Sequence, residues 1–290
     1  MTKRNNEKRA GTKKTVSAAP VPPILHESSP ESKPTFSFAT PTQFVELPSK
    51  GKYYPEDHCL HNVENVEIKF MTAKDEDVLA SRTLLQKGLA IDRFLQNIIV
   101  DKSIDVDSLL IGDKNAIMVA ARITGYGPLY ETKVTCPACA GVSDYEFNLE
   151  FCPINYGADL GELGIEHLFD NVFSIQLPVT KVNVSIRLIN GYDEKRISSK
   201  ADKKRRNKLP DISNITDLCK ALIVSVEGQT GRKEISEFVD SMPAYDSKHI
   251  RTSYDAIMPD LDMKHDFLCR HCGTDTTLEV PLNAEFFWPK

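Results

Sequence analysis

The sequence has no apolar run near the roughly 18 residues that cross a bilayer. Its basic start, Met1-Thr2-Lys3-Arg4-Asn5-Asn6, leads into no apolar stretch of a secretory leader, so neither export nor a membrane span is expected. There is no Walker-type phosphate loop, no Rossmann fingerprint and no His-Glu-x-x-His pair. Nucleotide, dinucleotide and zinc-protease chemistries therefore have no carrier, and no catalytic residue is assigned: the chain reads as a non-enzyme. Positive charge is not in excess either. The formal net charge is −5, which argues against a dedicated nucleic-acid coat. Large apolar residues are scarce before about residue 43, where Lys and Arg give way to a Pro-, Ser- and Glu-rich run. Such a segment cannot offset its own ordering entropy, so residues 1–42 read as a disordered or extended N-terminal arm.

What remains is ordinary globular material: 290 residues in all, 41% hydrophobic and 27% charged. Order is expected from about Phe44. Val66, Ile68 and Phe70 alternate as in a strand. Thr72 can cap a helix whose first turn carries Asp75, Glu76 and Asp77 and whose end suits Gly88. Ile91, Phe94, Leu95, Ile98 and Ile99 fall on one helical face. A third helix is expected from Asp113 as cap to Thr124, stopped by Gly125. Alternation returns at Tyr145-x-Phe147-x-Leu149, at Phe173 and Ile175, and from Val182 to Leu188, with Asn190-Gly191 as a turn. A basic helical stretch, helices from about Glu234 and from about Pro243 to Ile257, and alternating Thr276, Leu278, Val280 and Leu282 follow. The class is α+β, with a helical domain over 43–130 and a β-rich and helical region over 131–290.

The sharpest chemical signal is a pair of knuckles, Cys136-Pro137-Ala138-Cys139 and Cys269-Arg270-His271-Cys272. A Cys-x-x-Cys turn aims both sulfurs at one ion, and two such turns make a closed tetrahedral site with no position left for substrate. Each knuckle follows a short extended stretch, has a glycine nearby (Gly141 or Gly273) and runs into an alternating strand. That is the arrangement of a zinc ribbon holding one structural Zn2+ through Cys136, Cys139, Cys269 and Cys272. The pairs are 129 residues apart, so the ribbon is split: it is closed by 131–150 and 264–285, and the helices between are an insertion. Metal-free thiols, a redox pair and an iron–sulfur cluster are the competing readings. The odd total of seven cysteines does not suit a disulfide framework. Cys59, Cys152 and Cys219 read as small buried hydrophobes.

Other candidates have plain explanations. Asp75-Glu76-Asp77 suits the helix dipole. His58 and His61 flank Cys59 in a polar loop. Lys195, Arg196, Lys200, Lys203, Lys204, Arg205, Arg206 and Lys208 crowd a short span, but no aromatic residue interleaves with them for base stacking. The alternative function they raise is a zinc-ribbon nucleic-acid-binding or regulatory protein using 195–208.

Several segments in order resemble the baseplate proteins of contractile-tailed, T-even-type bacteriophages, described as hub or hub-assembly components. They are Leu47-Pro48-Ser49-Lys50-Gly51 with Tyr53-Tyr54-Pro55, Met71-Thr72-Ala73-Lys74-Asp75-Glu76-Asp77, and Asp113-Lys114-Asn115-Ala116-Ile117. Arg122-Ile123-Thr124-Gly125-Tyr126-Gly127, Tyr130, the first knuckle, Gly191-Tyr192-Asp193-Glu194 and Phe286-Phe287-Trp288-Pro289 complete the set. Ala140 departs from the glycine expected directly after the first knuckle. The resemblance implies a structural or assembly component of a phage tail baseplate, in the virion or in the host cytoplasm during assembly. Its partners would be other baseplate or tail-hub proteins, with a multi-copy ring as one arrangement, and not membrane or nucleic acid. The residues themselves suggest partner anchors at both ends: Phe36 and Phe38 in the arm, and Phe286, Phe287 and Trp288, where a strand would bury only alternate rings.

Overall fold

The computed structural model describes residues 40–206, 214–282 and 284–287, without the side chains of 200–206, 214 and 284–285. The arm residues 1–39, Phe36 and Phe38 among them, lie outside the described residues, as do Trp288 and the basic side chains from Lys200 to Lys208.

Alternating polar and apolar residues build a first hairpin of β1 (Thr42–Glu46) and β2 (Asn65–Lys69), antiparallel, with Val45 opposite Val66. A helical stretch follows: α1 (Ala73–Ala80), α2 (Arg82–Gln86), α3 (Ala90–Ile98) and α4 (Ile111–Tyr126). Thr72 caps α1 as expected, its N–H and hydroxyl both donating to the Asp75 carboxylate at 3.0 and 2.7 Å. The helix then breaks at Ser81, which is extended at ψ 108°. The face expected of α3 is buried, with Phe94 and Leu95 both 0% exposed. Its last carbonyls are held by Lys102, whose Nζ donates to Gln96 O at 2.6 Å and Ile99 O at 2.6 Å, a cation at a helix C-terminus.

The third helix starts and stops elsewhere than expected. Leu110, not Asp113, is its N-cap, and Asp113 lies in the first turn, fully buried. Gly125 stays helical, and it is glycine because the Met71 side chain packs where its Cβ would be; Gly127, at φ 83°, ends the helix.

Beyond α4 come β3 (Leu129–Thr135) and β4 (Val142–Asn148), an antiparallel hairpin whose tip is the first knuckle. After β5 (Ile154–Asn155) and α5 (Leu160–Leu163), a four-stranded sheet runs β6 (Glu166–Phe169), β7 (Val172–Gln176), β8 (Asn183–Arg187) and, later, β9 (Ile223–Val226) in that order. Asn190-Gly191 does not turn back. Asn190 Oδ1 accepts the Asp193 N–H at 3.2 Å and so caps α6 (Gly191–Arg206). Then come α7 (Asn214–Leu222), β9, α8 (Arg232–Ser241) and α9 (Ala244–Ile257). The chain closes with β10 (Asp260–Leu261) and the hairpin of β11 (Lys264–Leu268) and β12 (Asp275–Glu279), whose tip is the second knuckle.

Helix and sheet are thus mixed along the chain. A division near residue 130 separates no two cores: one cluster of buried side chains runs from Val45 to Phe287, and Thr40–Lys290 form one unit. Much of that continuity passes through α4. Its Asp113 accepts Ser49 N–H at 2.9 Å, Ser49 Oγ–H at 2.6 Å and Tyr54 O–H at 2.7 Å. Lys114 bridges Asp92 at 3.0 Å and Glu194 at 2.9 Å. Asn115 donates to Asp260 at 3.1 Å, and Arg122 Nε donates to Phe286 O at 2.9 Å. Five segments distant in sequence are gripped by one helix.

The last of these contacts corrects an expectation. Phe286 and Phe287 are each 1% exposed, packed edge-on against Tyr130 and Phe94 respectively. They sit in a 3-10 turn rather than a strand, so both rings enter this chain's own core and neither is left for a partner.

Candidate metal centre

Each knuckle is built by its own backbone. In the first, Ala140 N–H donates to Cys136 O and Cys136 N–H donates to Gly141 O, both at 2.9 Å. In the second, Gly273 N–H donates to Cys269 O at 2.9 Å and Cys269 N–H to Thr274 O at 3.0 Å. Position for position these are the same turn. It needs a left-handed residue directly after the second cysteine, and Ala140 (φ 57°) and Gly273 (φ 70°) supply it. Gly141 therefore does not relax the first turn. It is glycine for a different reason: a Cβ there would lie 2.8 Å from His271 Cδ2 and 3.2 Å from Cys139 Sγ. His271 crosses from the second knuckle and reaches Val142 O at 3.2 Å, so it is no ligand but a clasp between the hairpins.

The hairpins meet over aromatic contacts. Tyr145 O–H donates to Asp266 O at 2.7 Å, and the Tyr145 ring meets Phe267 edge-on at 5.5 Å. Phe147 meets His265 in the same way at 5.3 Å. This packing sets the two tips against each other. The Cys136 and Cys272 sulfurs are 3.8 Å apart, those of Cys139 and Cys269 3.7 Å, and all four lie within 4.8 Å of one another. A disulfide needs about 2.05 Å, and none of the seven cysteines is in one. A tetrahedron of sulfurs ~2.3 Å from a central ion has edges of ~3.8 Å, so the two close pairs sit at that edge length without adjustment.

The electrostatics favour anionic sulfur at Cys136 and Cys272. The Cys136 thiol is lowered, first by the Cys139 N–H and also by the Ala138 N–H aimed at it. The Cys272 thiol is lowered to about 6, chiefly by the Thr274 hydroxyl 3.2 Å away. Cys139 also receives a lowering bond from the Gly141 N–H, yet its neighbouring sulfurs, Cys272 first, push it up to about 12. Four thiolates cannot crowd together uncompensated, and a divalent cation would supply the missing charge. The group is compatible with binding a metal ion.

The remaining sequence candidates resolve into structure. His58 Nε2 lies 2.9 Å from Ser108 Oγ and stacks on Tyr54; His61 Nδ1 lies 2.7 Å from Tyr54 O. Both rings are spent on the loop. Among the described residues the four cysteines are the one such metal-ligating group. Cys152 and Cys219 are buried as expected, but Cys59 is exposed, its thiol turned to Ser103 O at 3.8 Å. Of the basic stretch, Lys195 is paired with Asp92 at 2.8 Å and Asp107 at 2.5 Å, and Arg196 with Asp193 at 2.8 Å. These two cations are structural. The Asp113 and Arg122 clusters gave no signal as sites in the sequence; what pointed to them was their place inside the segments that carry the family resemblance.

The chain is a mixed helix-and-sheet protein in which two hairpins bring four cysteines together and one central helix ties distant segments. The family model described as T4 bacteriophage base plate protein matches residues 40–288, and the chain belongs to that family. Its role is that of a structural protein of the phage baseplate, a component of the virion tail whose partners are other phage tail proteins. No curated protein and no solved structure matches the chain. Among the described residues no helix is long and apolar enough to cross a membrane.

Proposed function

We propose that this chain is a non-enzymatic component of the hub region of a contractile phage tail baseplate, stabilised by one structural zinc ion and acting through protein–protein contacts. The observation that carries the zinc is the pair of matching knuckles with sulfurs 3.7 and 3.8 Å apart across two hairpins. Zinc favours four sulfurs in a closed tetrahedron, and its site then has no open position for catalysis. On this reading the two hairpins are halves of a split zinc ribbon. The ion closes a loop of some 130 positions, a cross-link whose effect on chain entropy grows with loop length. The arm, with Phe36 and Phe38, then serves as an anchor onto neighbouring subunits during or after assembly, in copies arranged around the hub.

Two experiments test this. Metal analysis of protein purified without an affinity tag should find about one zinc per chain, and Cys136→Ser with Cys272→Ser should lose it; zinc content unchanged in the double variant overturns the site. Deleting residues 1–39, which spares Pro41 and β1, should leave a folded, zinc-loaded protein that fails to join baseplates. Normal numbers of infectious particles from that truncation overturn the role of the arm.

A further inference from the structure

We infer that the free edge of β1 and the apolar groove beside it form a docking site for an extended strand of a neighbouring tail protein. The site is independent of the four cysteines and goes beyond the reading above by fixing the kind of segment that binds.

The register of the hairpin decides which backbone groups are free. Phe70 N–H donates to Pro41 O at 2.9 Å and Leu47 N–H to Glu64 O at 2.8 Å, bracketing a ladder in which Phe44 lies opposite Glu67. In an antiparallel pair, hydrogen-bonded and open positions alternate. Pro41, Gln43, Val45 and Leu47 therefore face β2, and the N–H and C=O of Thr42, Phe44 and Glu46 point outward. No backbone or side-chain partner meets them among the described residues. The far side of β2 is already used: Val100 N–H donates to Glu67 O at 3.0 Å. Only β1 presents an open edge in this hairpin. An unpaired edge is a template for another strand, which native chains usually blunt with charge, proline or a bulge. Phe44, at the middle of this one, is instead apolar and 72% exposed.

Beside the edge runs a groove of about 340 Å³. Its floor is one face of α4, Ala116, Val119, Ala120 and Ile123, and Ile154 and Leu261 close it further. Glu46 and Glu150 are its only charged lining residues. Strand addition takes affinity from main-chain bonds and specificity from pockets for alternate side chains. Glu46 already pairs with Lys50 at 3.7 Å and accepts the Tyr156 O–H at 2.8 Å, so the occupant is an extended segment with apolar side chains at every second position, free of acidic residues and carrying a lysine or arginine where it passes Glu150.

The probe is a capped heptapeptide of alternating threonine and valine ending in lysine, added to the full chain. Amide exchange and chemical shifts are read at Thr42, Phe44 and Glu46. All three should gain protection together, and a peptide with glutamate in place of lysine should bind about tenfold more weakly. Phe44→Pro removes one outward donor without touching the ladder to β2, where proline is tolerated. It should weaken binding about tenfold or more while melting as the parent does, whereas Phe44→Ala, which keeps the N–H, should lose less. Unchanged amides at millimolar peptide overturn the proposal, and so does equal binding by Phe44→Pro. Protection already present before peptide is added, and lost on dilution, means that a second copy of the chain covers the edge; that too overturns the assignment to a foreign strand. Full zinc in a protein that ignores the peptide would separate failure of this site from failure of the metal reading.

Discussion

Ala140 and Gly273 hold the same place in their knuckles, one residue past the second cysteine, and both backbones are left-handed, at φ 57° and 70°. Glycine adopts this conformation freely, while the Cβ of alanine crowds a carbonyl at a cost of roughly 1–2 kcal/mol. Part of that is offset because alanine has less freedom to lose on folding. Ala140→Gly should therefore raise the unfolding free energy by about 0.5–1 kcal/mol. Gly273→Ala should lower it by about 1 kcal/mol, through strain alone, since a Cβ at Gly273 meets nothing within 4 Å. Denaturation of the two variants beside the parent measures both, and a less stable Ala140→Gly protein contradicts the account.

The Asp113 carboxylate collects three donors from the loop at 49–54, and the Tyr54 hydroxyl oxygen in turn accepts the Leu110 N–H at 3.0 Å. Burial pushes the Asp113 carboxyl up, even against the lowering effect of Ser49 and Tyr54. Asparagine keeps the shape but offers one acceptor and turns an amide toward donors. Asp113→Asn should cost about 2–4 kcal/mol, and Ser49→Ala, which deletes one hydroxyl donor, about 1 kcal/mol. The ordering is checked by urea midpoints; equal losses would show that the carboxylate is not the organising group.

Lys114 and Lys195 meet over Asp92. Burial alone would push the Asp92 carboxyl up, but Lys195 and Lys114 outweigh it and hold it below its ordinary value. Burial likewise opposes the Lys114 charge, and Glu194 and Asp92 outweigh it, raising that ammonium. A depressed carboxyl adds stability above its unfolded value near pH 4, lost as pH falls through the folded one. A raised ammonium adds stability below about pH 10.4, lost as pH rises through its folded value. Asp92→Asn should thus cost about 1–2 kcal/mol at pH 7, a difference that shrinks below pH 4. Melting temperatures across pH 2–8 test it; a constant gap down to pH 2 rules out linkage to Asp92.

The parts legible in the sequence were those with a local cause. Periodicity gave the face of α3, the spacing of Thr72 and Asp75 gave a helix start, and the Cys-x-x-Cys pairs gave a grouping that packing then brought within 4.8 Å. What was not legible depended on partners far along the chain. Asp113 looks like a cap until Ser49 and Tyr54 arrive, and Gly125 looks like a stop until Met71 fills its side. The β9 strand was hidden because Ile223–Val226 follows α7 without a break and is fixed only by pairing with β8. Phe286 and Phe287 read as sticky ends because nothing local reveals that Tyr130 and Phe94 await them.

The C-terminal segment has two tethers. One is the second knuckle, which the proposed metal would tie to the first. The other is the pair of buried rings at 286 and 287, with Arg122 Nε holding Phe286 O at 2.9 Å while its other nitrogens reach Gly127 O and Leu129 O. Metal bound only by the folded chain adds its binding energy to stability, so a strong chelator should lower the melting temperature. Chelation alone should nevertheless loosen only the tips: amides of Cys136, Ala140, Cys269 and Gly273 should exchange faster while those near Phe286 stay protected. Arg122→Ala alone should leave the tips intact and weaken the aromatic end. Only the two together should open the chain beyond Lys264 to protease. Rapid cleavage there after chelation of the parent protein would mean that the knuckle is the sole tether, and that the burial of Phe286 and Phe287 follows from the metal rather than standing beside it.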